Sequence, residues 1–112
     1  MPRWQLIRTE EGVVLSRPGR MRLDVGARSG FPPLRPAALA HEIRKDLWRM
    51  LQRLRGFSPV VVIRRDAAGL EVEAGGEMAA GMPLPPGVAE RIAGMLADPH
   101  RRARWIAHAR LR

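Results

Sequence analysis

Between Pro36 and Gly56 the chain carries one long apolar stripe, and this stripe limits the possible folds more than any other stretch. At about 100° per residue, Leu39, Ala40, Ile43, Leu47, Met50, Leu51 and Leu54 fall within an arc of roughly 120°, so Ala37–Arg55 reads as an amphipathic helix. Pro36 suits a first helical position, where its missing N–H is not needed, and Gly56 suits the stop. A helix with one wet face has to bury the other against a second layer.

The flanking segments supply strands for that layer. Three short runs come first, Trp4–Thr9, Val13–Arg17 and Arg20–Val25, separated by the turn compositions Glu10-Glu11-Gly12 and Pro18-Gly19. In the third, Met21, Leu23 and Val25 alternate with Arg20, Arg22 and Asp24, the period of a half-buried strand. Together they read as an antiparallel meander, followed by a connector over 26–36 rich in Gly and Pro. After the helix, the β-branched Val60–Ile63 favours a strand. A turn at Arg65–Gly69 and the alternation of Leu70, Val72 and Ala74 with Glu71 and Glu73 complete a hairpin. Arg64 or Arg65 then faces Glu71 or Glu73 across the pair.

Gly75–Pro86 reads as a second connector, whose Met78 and Met82 are suited to cover apolar surface. Val88, Ile92, Met95 and Leu96 share one face of a short helix over Pro86–Ala97. Asp98-Pro99 reads as an N-cap and first-turn proline opening a last helix to the C-terminus. The expected class is α+β: an antiparallel sheet of about five short strands (three-stranded meander plus hairpin), packed by one long amphipathic helix, with two short C-terminal helices. At 112 residues it is one small basic domain, 1–112.

Charge narrows the partners. Nineteen arginines, one lysine (Lys45) and eleven acids leave a net charge of +9, which favours polyanions. Arginine forks grip phosphates bidentately and stack on rings. A GC-rich genome writes Arg for Lys as well, and the abundant Ala, Gly and Pro fit that origin equally. On the long helix, Trp48 lies beyond the edge of the apolar arc, near Arg44, Arg55, His41, Gln52 and Lys45. A ring flanked by guanidinium groups suits base stacking, phosphate gripping or an interface hot spot. Equally, Trp48 widens the apolar stripe and packs beneath a connector. On the opposite edge, Glu42 and Asp46 with Arg49 and Arg53 read as a solvated face with weak ion pairs.

The last helix, about 99–112, carries Arg101, Arg102, Arg104, Arg110 and Arg112 with no acid after Asp98. It reads either as a basic arm anchored by Trp105 or as a solvated helix docked through Trp105 and Ile106.

Several classes lack their residues. The chain has no Cys, hence no disulfide, thiolate zinc site or cysteine nucleophile. His41, His100 and His108 have no zinc spacing, and Ser16, Ser29 and Ser58 have no adjacent triad partners. No phosphate loop or dinucleotide fingerprint is present, and neither cofactor nor metal is expected. Five aromatics are too few for a base-stacking sheet. No apolar run approaches the roughly 20 residues that span a bilayer, and the opening residues lack a secretory apolar stretch. A cytoplasmic, bacterial protein is expected, with no integral membrane segment.

The expected function is non-enzymatic: binding of nucleic acid through arginine–phosphate contacts with little sequence reading. Arg44, Lys45, Arg49, Arg53, Arg55, Arg101, Arg102 and Arg104 would supply the contacts, with Trp48 and Trp105 stacking or wedging. The alternative is a protein-interaction module, an adaptor, inhibitor or assembly subunit that docks on the acidic face of a larger partner. Oligomeric state stays open, since an unpaired edge strand in either β segment offers a site for a second copy.

Overall fold

The computed structural model describes residues 3–112; Met1 and Pro2, with which the expected domain begins, lie outside the described residues. Five antiparallel strands form one sheet: β1 (Gln5–Arg8), β2 (Gly12–Ser16), β3 (Val25–Phe31), β4 (Phe57–Asp66) and β5 (Gly69–Met78). Three helices accompany them: α1 (Pro36–Leu51), α2 (Val88–Ala97) and α3 (Pro99–Ala109). The α+β class, the long helix and the two C-terminal helices are those expected.

The strand order β1-β2-β4-β5-β3 differs from a three-stranded meander followed by a hairpin. Of the three expected meander strands only β1 and β2 pair as a hairpin; β3 crosses to the far edge and pairs with β5 from Val25↔Gly76 to Phe31↔Leu70, while β4 and β5 form the expected second hairpin. The third strand therefore lies in residues assigned to a Gly/Pro connector, and the alternating Met21 and Leu23 lie outside it. Gly26 and Gly75 face each other in register, and a Cβ on Gly75 would run into the Val25 carbonyl. Glycine here serves close strand approach rather than a loop.

The crossing segment is pinned by charge. Arg20 Nε donates to Glu77 at 3.1 Å, the Arg22 amide donates to the same carboxylate at 3.0 Å, and Asp24 accepts from the Met78 amide at 2.8 Å. The hydrogen bond from the Arg22 amide, followed by that from the Arg20 guanidinium, holds Glu77 below the usual carboxylate range, while Asp24 is lowered chiefly by its hydrogen bond from Arg22.

One face of the sheet carries the core. Val13, Leu15, Val61, Ile63, Val72 and Ala74 share it by register, and α1 seats Leu39, Ala40, Ile43, Leu47 and Leu51 against it. The helix ends at Leu51 rather than Arg55, and Gly56, at φ +80°, closes the turn into β4 instead of the helix. Met78 ends β5, buried, rather than lying in a connector. Arg64 does face Glu71 in register, and its guanidinium reaches Glu73 at 3.9 Å.

The last helix is docked. Trp105 is fully buried, and its indole N–H donates to Asp46 at 2.7 Å. Arg104 pairs with the same carboxylate, and Arg49 reaches it at 3.2 Å. Asp46, read as part of a solvated edge, is thus a buried anion joining α1 to α3. Asp98 caps α3 as expected, accepting from the Arg101 amide. At the other end, Arg35 donates to the carbonyls of His108 and Arg110 at 2.7 and 2.9 Å, satisfying acceptors the helix leaves open. Among the described residues, no helix is long and apolar enough to cross a membrane.

Candidate anion-binding surface

α1 has two flanks, and the free cationic groups collect on the one facing β1. Residues 41, 44 and 48 lie on that flank by the i, i+3, i+4 spacing of a helix. β1 and β2 meet it with Trp4 and Arg17, whose alternation places them on the same face as Leu6 and Leu15. The Trp4 and Trp48 rings sit edge to face, 6.5 Å apart at 72°. The Arg17 guanidinium carbon lies 4.9 Å from the centre of Trp4 and 5.0 Å from that of Trp48. Arg44 lies 4.5 Å from the centre of Trp4. Each such contact stabilises the cation by about 0.5–2 kcal/mol, depending on desolvation.

No carboxylate completes this group. Among the described residues, neither Arg17 nor Arg44 is within ion-pair distance of an acid. Glu42 acts on Arg44 electrostatically, but its carboxylate binds Lys45 at 2.7 Å. The Nε atoms of Arg17 and Arg44 are buried without a hydrogen-bond partner among the described residues, while both side chains are only half-buried. Burial is the main influence lowering the Arg44 pKa; Glu42 opposes it, and the neighbouring charges of Arg17 and Arg49 add to it. Two partly desolvated guanidinium groups that share a ring and repel one another are a site where an anion is favoured.

His41 on the same flank responds to this field. Burial lowers its pKa first, Arg44 and Lys45 lower it further, and Glu42 acts in the other direction. Arg53 and Arg55 are exposed in the turn after α1, without an acid partner among the described residues. The Arg20 guanidinium donates to the Gly56 carbonyl at 3.0 Å, so that turn lies beside the segment carrying Arg17.

The remaining expected contacts are engaged within the fold. Lys45 pairs with Glu42, Arg49 and Arg104 with Asp46, and Arg101 with Asp98 at 3.4 Å. Arg102 donates to Ser29 Oγ and to the carbonyls of Leu96 and Gly30, and covers Phe31 at 4.0 Å. Trp105 has no exposed surface for a base. The structure therefore brings Arg44 and Trp48 together with Trp4 and Arg17, which sequence reasoning missed, and places Trp105 and the α3 arginines elsewhere. A signal for the missing pair existed: Trp4 precedes β1 and Arg17 follows β2 at even spacing from core positions.

Comparison of the chain with protein-family models, curated proteins and solved structures finds no match in any of the three.

Proposed function

We propose that the protein binds nucleic acid, without catalysis, through phosphate contacts made by Arg17 and Arg44, with Arg53 and Arg55 adding charge at the same end. The observation that carries this reading is the pair of half-buried guanidinium groups held on Trp4 and Trp48 with no carboxylate partner among the described residues. A phosphate supplies what the cluster lacks: negative charge and several acceptors in the fork geometry arginine prefers. Trp4 and Trp48 act as platforms that hold the guanidinium groups, so base stacking is not their task. Little sequence preference follows, because phosphate contacts carry no base information.

Binding of a fluorescent duplex, followed by anisotropy between 50 and 300 mM salt, tests the reading. Neutralising about four phosphates, one for each of these arginines, gives a slope of log K against log salt of about −3.6, whereas flat binding contradicts it.

A second reading, docking on an acidic protein face, is favoured by the chemistry of the same cluster, since Trp and Arg dominate interface hot spots and both rings remain half-buried. Pull-down from nuclease-treated lysate separates the two: a stoichiometric protein retained after nuclease supports docking, and loss of all bound material supports nucleic acid.

A further inference from the structure

A second basic feature lies at the other end of α1. A cleft of about 440 Å³ opens between β1, β4 and the start of the helix, lined in part by Arg8, Leu34, Ala37, Ala38, Arg65 and Leu111. Arg8 and Arg65 are exposed, and among the described residues neither has an acid within ion-pair distance. None of the described residues lining this cleft is acidic. An adjoining cavity of about 290 Å³ shares Leu34, Arg65 and Leu111 and adds Asp66. Asp66 Oδ1 already accepts from the Ala68 and Gly69 amides at 2.9 and 2.8 Å.

β1 and α1 both connect this cleft to the tryptophan cluster. Trp4 and Arg8 are four residues apart on one side of the strand, about 14 Å at 3.4 Å per residue. Ala37 lines the cleft and Trp48 lies in the cluster, eleven residues apart and about 16 Å along the helix. Ala37, His41, Arg44 and Trp48 follow one another along this flank at helical spacing, with no acid among them.

We propose that a single nucleic-acid strand bridges the two ends, placing one phosphate between Arg17 and Arg44 and another between Arg8 and Arg65. This inference rests on the phosphate-binding reading of the tryptophan cluster. A separation of about 15 Å exceeds the distance between adjacent phosphates of a strand, so several successive nucleotides are needed to occupy both ends. A dinucleotide therefore engages one end only. A longer strand makes the second contact intramolecular, which raises affinity by about 10²–10⁴ without any new kind of contact.

The test compares oligothymidylates of two and sixteen nucleotides on the wild type and on the double variant Arg8→Ala/Arg65→Ala. The longer strand has more registers on any protein, so the readout is the loss caused by the variant on each length. The expected loss is at least about ten-fold on the sixteen-mer and less than about two-fold on the dinucleotide. Equal losses on both lengths overturn the bridging and leave phosphate binding at the cluster standing. Failure of the wild type to bind either length overturns the bridging by a single strand, and the duplex titration decides separately whether phosphate binding at the cluster falls with it. Arg8→Lys/Arg65→Lys keeps both charges and is expected to retain most of the sixteen-mer affinity; a fall as large as that of the alanine pair contradicts the proposal. Circular dichroism verifies that each variant is folded.

Discussion

The two flanks of α1 use the same residue types to different ends. Toward α3, Trp105, Arg104 and Arg49 converge on Asp46, which is buried to 7% exposure. Toward β1, Trp4, Trp48, Arg17 and Arg44 converge on one another with no acid among them. One carboxylate makes the difference. Where it is supplied, indole and guanidinium donors are satisfied internally and the flank becomes a seam between helices. Where it is missing, guanidinium groups are held in place by rings, and their hydrogen-bonding capacity is left for a partner. An arginine count cannot distinguish these situations; the location of the acids does.

The largest expected effect breaks the α3 seam. Asp46→Ala leaves a buried indole N–H without its acceptor and Arg104 without its partner, so a loss of about 3 kcal/mol in stability is expected. Urea unfolding followed by tryptophan fluorescence measures it. Asp46→Asn retains an acceptor for the indole and is expected to recover part of the loss. Both variants keep the contacts of the tryptophan cluster, so the salt dependence supplied by Arg17 and Arg44 should persist in the folded molecules.

The smallest effect concerns His41 and sharpens the comparison from the other side. Its pKa in the folded protein lies below the ordinary 6.5, chiefly through burial and then through Arg44 and Lys45. The unfolded chain therefore takes up the proton first as the pH falls. Stability is unaffected by this group above about pH 6.5 and declines below it. Unfolding at pH 7.5 and 5.5 checks the sign: His41→Gln should lose less stability over that interval than the wild type. If both lose the same amount, burial and the neighbouring cations together do not lower His41 enough to matter.

Much of the fold was legible because local patterns matched it. The stripe from Leu39 to Leu51 and the β-branched Val60–Ile63 lead directly to α1 and β4, and Asp98-Pro99 leads to the cap of α3. Strand β3 was hidden because Gly26 and Gly30 resemble a loop until the facing Gly75 is known. The Met21 and Leu23 alternation misled, since that segment is held by Glu77 and Asp24 instead of a strand ladder. Of the candidate site, Arg44 and Trp48 were visible through their place on the helix edge. Trp4 and Arg17 carried only their even spacing from core positions, because their proximity to α1 depends on how β1 and β2 pair. Asp46 was misread for a similar reason: its partners are 58 and 59 residues away, and a helical projection alone puts it at a wet edge.

The central claim is that Arg17 and Arg44 contact phosphates, and the salt dependence of duplex binding by Arg17→Ala/Arg44→Ala tests it most directly. Removing two phosphate contacts should make the slope of log K against log salt shallower by about 1.8. Stability should change by about 1.5–3 kcal/mol as three contacts between cation and ring are lost. A folded double variant with an unchanged slope and affinity would contradict the account.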